Sequence, residues 1–190
     1  PEQLPPDAAA RYRELAERCQ AGDTTVDFLS LRRYSTVLPE YHPFTESQAA
    51  RALRAHARSG GREAELTIEQ LFLTSAADID FHAHAAVLLT QRGKHEHARF
   101  HALIREKLID AILADSREGP GDLSFMIIHF REAAAVLERL SLREAGFTHR
   151  VWRGRHWEVY VVHDTDGRVL TVAFQVDLIY GWLEKRGGFP

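Results

Sequence analysis

Between Ser116 and Asp122 the spacing of apolar residues along the chain changes, and that change limits the folds open to it. Upstream, apolar positions recur three and four apart, as in Tyr12, Leu15, Ala16 and Cys19 or Ile104, Leu108, Ala111 and Ile112. Downstream, "HWEVYVVHD" and "RVLTVAFQVD" alternate, with Leu170, Val172, Phe174 and Val176 on one face of the second. A helix buries a stripe of period 3.6 and a strand a face of period 2, so helices come first and strands later, around one sizeable core or two small ones. The expectation is an α+β fold in a single domain over 1–190. Residues 1–116 form a helical part with helical-hairpin packing; residues 117–190 form a strand-helix-hairpin part with a small antiparallel sheet and one or two helices.

Punctuation sharpens this outline. Asp7 precedes the first stripe and Gly22 ends it, and a second helix is expected to start at "DTT" (23–25), carrying Phe28, Leu29 and Leu31. Prolines 39 and 43 in "LPEYHPF" enforce an extended link. Thr45 with Gln48, and Thr67 with Gln70, have capping-box spacing and predict two helix starts, separated by "SGG" at 59–61. Helices over 80–92 and 94–115 meet at Gly93, with Ala85, Ala86 and Ala98 small enough for the axes to approach closely. This pair resembles a helical hairpin of tetratricopeptide type. After the "REGPG" break at 117–121 come a strand in "LSFMIIHF", a helix in "REAAAVLERL" and a hairpin turning at "TDG", then a terminal helix in "LIYGWLEKR".

Several function classes are disfavoured by composition. A formal net charge of −3 gives no global basic field, so no nucleic-acid partner is expected. No run approaches about 18 apolar residues, so no membrane span is expected, and "PEQLPP" is neither a charged nor an apolar targeting region. The one cysteine, Cys19, lies on the first helical stripe and reads as buried rather than reactive. H-E-x-x-H, G-x-S-x-G, Walker and dinucleotide signatures are all absent from the sequence.

Two stretches could carry chemistry. In "GKHEHARFH", His97 and His101 stand four apart on one helix face and could bind a divalent metal such as zinc, with His82 or His84 as the nearest further donor. The competing reading makes them half-buried seam residues, since their stripe continues through Ile104 and Leu108. His82 and His84, two apart, diverge on a helix and are not a pair. In "HRVWRGRHWEVY", arginines interleave with tryptophans, a composition enriched at binding hot spots, which makes Trp152, Arg153, Arg155 and Trp157 the candidate binding residues. The alternative is a hairpin whose tryptophans pack on the 131–140 helix. "HDTDGR" lacks the spacing and terminal Glu of a calcium loop and reads as a turn.

The segments "AGDTTVDFLSLRRY" (21–34), "EYHPF" (40–44), "HARFHALIREKLIDAIL" (97–113), "LSFMIIHFREAAAVL" (123–137) and "VLTVAFQVD" (169–177) together resemble the bacterial family catalogued as domain of unknown function 4919. They are caps, stripes and strands, so the resemblance implies a common fold rather than an activity. Relatives tend to carry signal peptides, which implies an exported protein. Where such families place a Ser-Gly-Asp-Gly type loop after the "LIDAIL" helix, this chain reads "DSREGPG", with Arg117 and Glu118 in place of the Gly-Asp pair. The resulting expectation is a non-enzymatic module binding a protein or peptide partner and needing no cofactor. The alternative is a metal-dependent, hydrolase-like enzyme using histidines of the 80–101 hairpin.

Overall fold

The computed structural model describes residues 4–59 and 63–187, which fall into two compact units, 4–108 and 109–187. Among the described residues there are eight helices, most of them in the N-terminal part, and one four-stranded sheet. The fold class is α+β, as the change of period requires.

The first unit contains α1 (Ala8–Gln20), α2 (Phe28–Ser35), α3 (Gln48–Ser59), α4 (Glu63–Ser75), α5 (Ile79–Gln91) and most of α6 (His95–Ala114). Helix α1 buries the expected stripe of Tyr12, Ala16 and Cys19. Burial, reinforced by Asp23, pushes the Cys19 thiol up to about 12, so no thiolate forms there. Helix α2 begins later than expected. The carboxylate of Asp27 accepts the Ser30 amide at 3.0 Å and caps the helix, while Asp23 is used in a local turn, accepting the Thr25 amide at 2.8 Å. The capping-box readings also move. Ser47 rather than Thr45 accepts the amide of Ala50 (3.0 Å), and Thr67 lies inside α4, which starts at Glu63. Of the expected "SGG" break, Gly60 and Gly61 lie outside the described residues.

Helix α5 is capped by Asp78, which accepts the amides of Asp80 (2.9 Å) and Phe81 (3.1 Å). It ends in a turn where Gly93 has φ +73° and the Lys94 amide reaches back to Leu89 O at 2.9 Å, closing the helix as a C-terminal glycine should. Helices α5 and α6 meet through their side chains, His82 reaching His101 at 2.9 Å, and the small Ala85 and Ala98 are both buried. Between α5 and α6 stand the rings of Phe81, His82, Phe100 and His101, bulkier than alanine.

The second unit holds the end of α6, then β1 (Leu123–Met126), α7 (Arg131–Arg139), β2 (Arg143–Trp152), β3 (Arg155–His163), β4 (Val169–Gln175) and α8 (Asp177–Glu184). The sheet order is β1-β4-β3-β2. The β3–β4 hairpin pairs antiparallel as expected and turns at Gly167 (φ +78°), where Asp164 accepts the amides of Asp166 and Arg168. The sheet is mixed, however. Strand β1 pairs parallel to β4, with Phe125 opposite Phe174, because the chain travels through α7 and two further strands before β4 is laid beside it. The β1 ladder covers only the first half of "LSFMIIHF"; Ile127 and Ile128 follow as buried residues outside the strand, and the Ile128 amide is held by the buried Glu132 carboxylate at 2.8 Å.

Strand β2 was legible only as one arm of a possible hairpin. Its link to β3 is the two-residue turn Arg153-Gly154, with φ +50° and +72°, the left-handed conformation at both centres that matches the twist of paired strands. A bulge between Glu144 and Gly146 interrupts the pairing near its start.

Candidate interaction surface

Each side chain of the Arg/Trp stretch finds a definite place around the β2–β3 turn. Trp157 is fully buried with Val159 and Ala173, and the half-buried Trp152 packs against this cluster, its ring meeting that of Trp157 edge-on at 6.2 Å. The covering element over Trp157 is the "REGPG" loop. A Cβ on Gly119 would come within 2.7 Å of the indole and 2.5 Å of Ser124 Oγ, so the glycine is required by close approach. Trp157 is therefore an internal support. Arg153 is exposed, lies over the Trp152 ring at 4.5 Å and pairs with Glu118; Arg155, also exposed, lies 3.4 Å from Asp177. Three of the four candidates thus border one surface, and the fourth lies beneath it.

The larger part of that surface is β2 itself, whose residues are almost all exposed. It forms an edge of the sheet, so among the described residues no strand lies beside its outward backbone amides and carbonyls. Register with β3 assigns its two faces. Phe147, His149 and Val151 lie opposite Tyr160, Glu158 and His156; Thr148, Arg150 and Trp152 lie opposite Val159, Trp157 and Arg155. Phe147 and Val151 are 61% and 62% exposed, unusual for residues that strands normally bury. Phe147 is held in place by stacking on Tyr160 at 5.2 Å.

Next to them the imidazoles of His149 and His156 meet, Nε2 to Nδ1, at 3.2 Å, and both lie parallel to the ring of Tyr180, with centroids 5.0 and 4.3 Å away. Asp177, at the start of α8, positions this platform by accepting the His156 amide at 2.7 Å and the Gln175 side chain at 2.6 Å. Burial, and then the proximity of His156, lowers the pKa of His149. Beneath it Glu158 is buried, with Oε2 meeting no hydrogen-bond donor; desolvation raises its pKa, and its charge helps raise those of Tyr160 and Tyr180.

The two histidines singled out for metal binding stay close together on α6 but differ in exposure. His97 is exposed, whereas His101 is 4% exposed and pairs with His82, Nδ1 to Nδ1, at 2.9 Å. His82 Nε2 donates to Ala76 O at 3.1 Å, so its Nδ1 carries a lone pair and His101 Nδ1–H must be the donor. Phe72, Phe81 and Phe100 pack around the pair with ring centroids 5.2 to 5.9 Å from the imidazoles. Burial, with the mutual proximity of the pair, pushes His82 down to about 3, and burial with nearby His97 pushes His101 down to about 4. In both imidazole pairs, one nitrogen of each ring is engaged by the other ring. Among the described residues no group of three or more His, Cys, Asp or Glu is placed to hold a metal. His84 faces Glu46 at 3.5 Å instead, within an ion pair that Arg54 completes.

Sequence reasoning missed Phe147 and Val151 as surface residues, placed Arg150 only within the wider Arg/Trp stretch, and offered His82 as a neighbour of His101 only as a further metal donor, not as its hydrogen-bond partner. Phe147 and Val151 stand in a strand without a periodic signature; the histidine contact joins positions 19 apart on two helices. Among the described residues no helix is long and apolar enough to cross a membrane. No protein-family model, curated protein or solved structure matches the chain.

Proposed function

We propose that this protein is a non-enzymatic interaction module that binds a protein or peptide segment on the β2 side of its sheet. The observation that carries this reading is an edge strand exposed along almost its whole length, with two large apolar side chains, Phe147 and Val151, displayed on one face. An open edge offers backbone hydrogen bonds to an extended segment, and its alternate side chains supply selectivity. Trp152, Arg153 and Arg155 border the same surface, and Trp157 beneath holds the turn in shape. Kinship with the family named above is a proposal of shared fold; its five segments correspond to α2, the link before α3, α6, β1 with α7, and β4.

Panning a random peptide library against the immobilised protein tests the reading. Peptides enriched on the native chain should fail to bind a Phe147→Thr/Val151→Thr variant, which removes apolar surface and keeps strand-forming residues. Peptides that bind both proteins equally would place the surface elsewhere.

A further inference from the structure

The chemistry of β2 says what kind of segment it accepts. Residues 143–155 carry four arginines, at 143, 150, 153 and 155, and one acid, Glu144, within a chain whose net charge is −3. Arg153 and Arg155 have carboxylate neighbours in Glu118 and Asp177, while among the described residues no ion pair engages Arg143 or Arg150. The two faces differ as well. One presents Phe147 and Val151 with the imidazole of His149 between them; the other presents Arg150 between Thr148 and Trp152.

Resting on the reading of β2 as the binding edge, we infer that the occupant is an acidic, extended peptide segment with alternating apolar and carboxylate side chains, added as a fifth strand beside β2. Strand alternation sends its apolar residues to the Phe147–Val151 face and its carboxylates to the Arg150 face. The bulge at 144–146 disturbs the first part of the edge, so the docking run is 146–152. A second copy of the chain is disfavoured on the same ground. Pairing β2 with itself would set one arginine-rich edge against another, and like charges across neighbouring strands repel.

The experiment uses the full chain and two synthetic peptides of about eight residues, long enough to span the run, one alternating valine with glutamate and one alternating valine with lysine. Fluorescence anisotropy measures binding, and hydrogen exchange read by NMR locates it. The glutamate peptide should bind, slow exchange of amides within 146–152, and bind more weakly as salt is raised. Arg150→Glu should lower its affinity by about tenfold or more while leaving the circular dichroism spectrum unchanged. If the lysine peptide binds as well or better and protects the same amides, the charge assignment is wrong while β2 remains the binding edge. If neither peptide protects β2, the edge itself is not the surface and both readings fail. A concentration-dependent dimer with β2 protected in the absence of peptide would replace the peptide by a second copy.

Discussion

The two imidazole pairs make the same N–H···N contact in opposite surroundings. His82 and His101 meet at 2.9 Å inside a ring of phenylalanines; His149 and His156 meet at 3.2 Å on an open strand, resting on Tyr180. In the first, each proton position is set by the Ala76 carbonyl and by exclusion of water, so the pair is fixed as neutral and structural. In the second, solvent can exchange with either ring, and the pair lies beside the exposed apolar side chains of Phe147 and Val151. Proximity of two histidines therefore says little about function; burial decides whether the contact holds the fold or faces a partner.

Acid should separate the pairs most strongly. His82 and His101 are neutral in the native state, with pKa values depressed below an unfolded value of about 6.5, so the stability they contribute is complete above that pH and is lost progressively as pH falls toward their native values. At about pH 5 the unfolded chain gains roughly 2 kcal/mol per histidine, or about 4 kcal/mol for the two, relative to about pH 7.5. Urea unfolding at the two pH values should show this loss, and His82→Leu/His101→Leu should remove most of it. An acid-induced loss unchanged in that double variant would assign it to other groups.

A smaller effect distinguishes two histidines on one helix. His101→Gln disturbs a buried hydrogen bond and should cost about 1–3 kcal/mol, whereas His97→Gln, on the exposed side, should stay within about 0.5 kcal/mol. Equal costs would mean that α6 is rotated from the orientation described. The smallest effect belongs to the surface pair. His156→Gln should shift stability by no more than about 0.5 kcal/mol, since an exposed contact exchanges readily with water. A larger loss, measured by urea midpoint, would make the platform on Tyr180 a structural element like the buried pair.

This contrast also explains what could be read in the sequence. Helices α1, α5 and α6 and strands β3 and β4 bury one side, so their period survives in the residues; Tyr12, Ala16 and Cys19, or Val172 and Phe174, are legible because they face a core. Strand β2 is exposed at almost every position and leaves no alternation in "REAGFTHRVW", so its surface is detectable only at the tip, through the tryptophans and arginines. The spacing of His97 and His101 pointed to a pair on one helix, but burial selected His101 and supplied His82 from another. That choice depends on tertiary packing, as does the parallel placement of β1 on β4.

On the proposed division, the first unit's buried histidines serve stability and the β2 edge serves binding; Arg150→Glu measured beside His101→Gln for both urea stability and glutamate-peptide affinity tests this most directly. Arg150→Glu should keep stability within about 0.5 kcal/mol and lose about tenfold or more in affinity; His101→Gln should lose about 1–3 kcal/mol in stability and bind the peptide as the native chain does. Unchanged affinity in Arg150→Glu, or weakened binding by fully folded His101→Gln, would contradict that division.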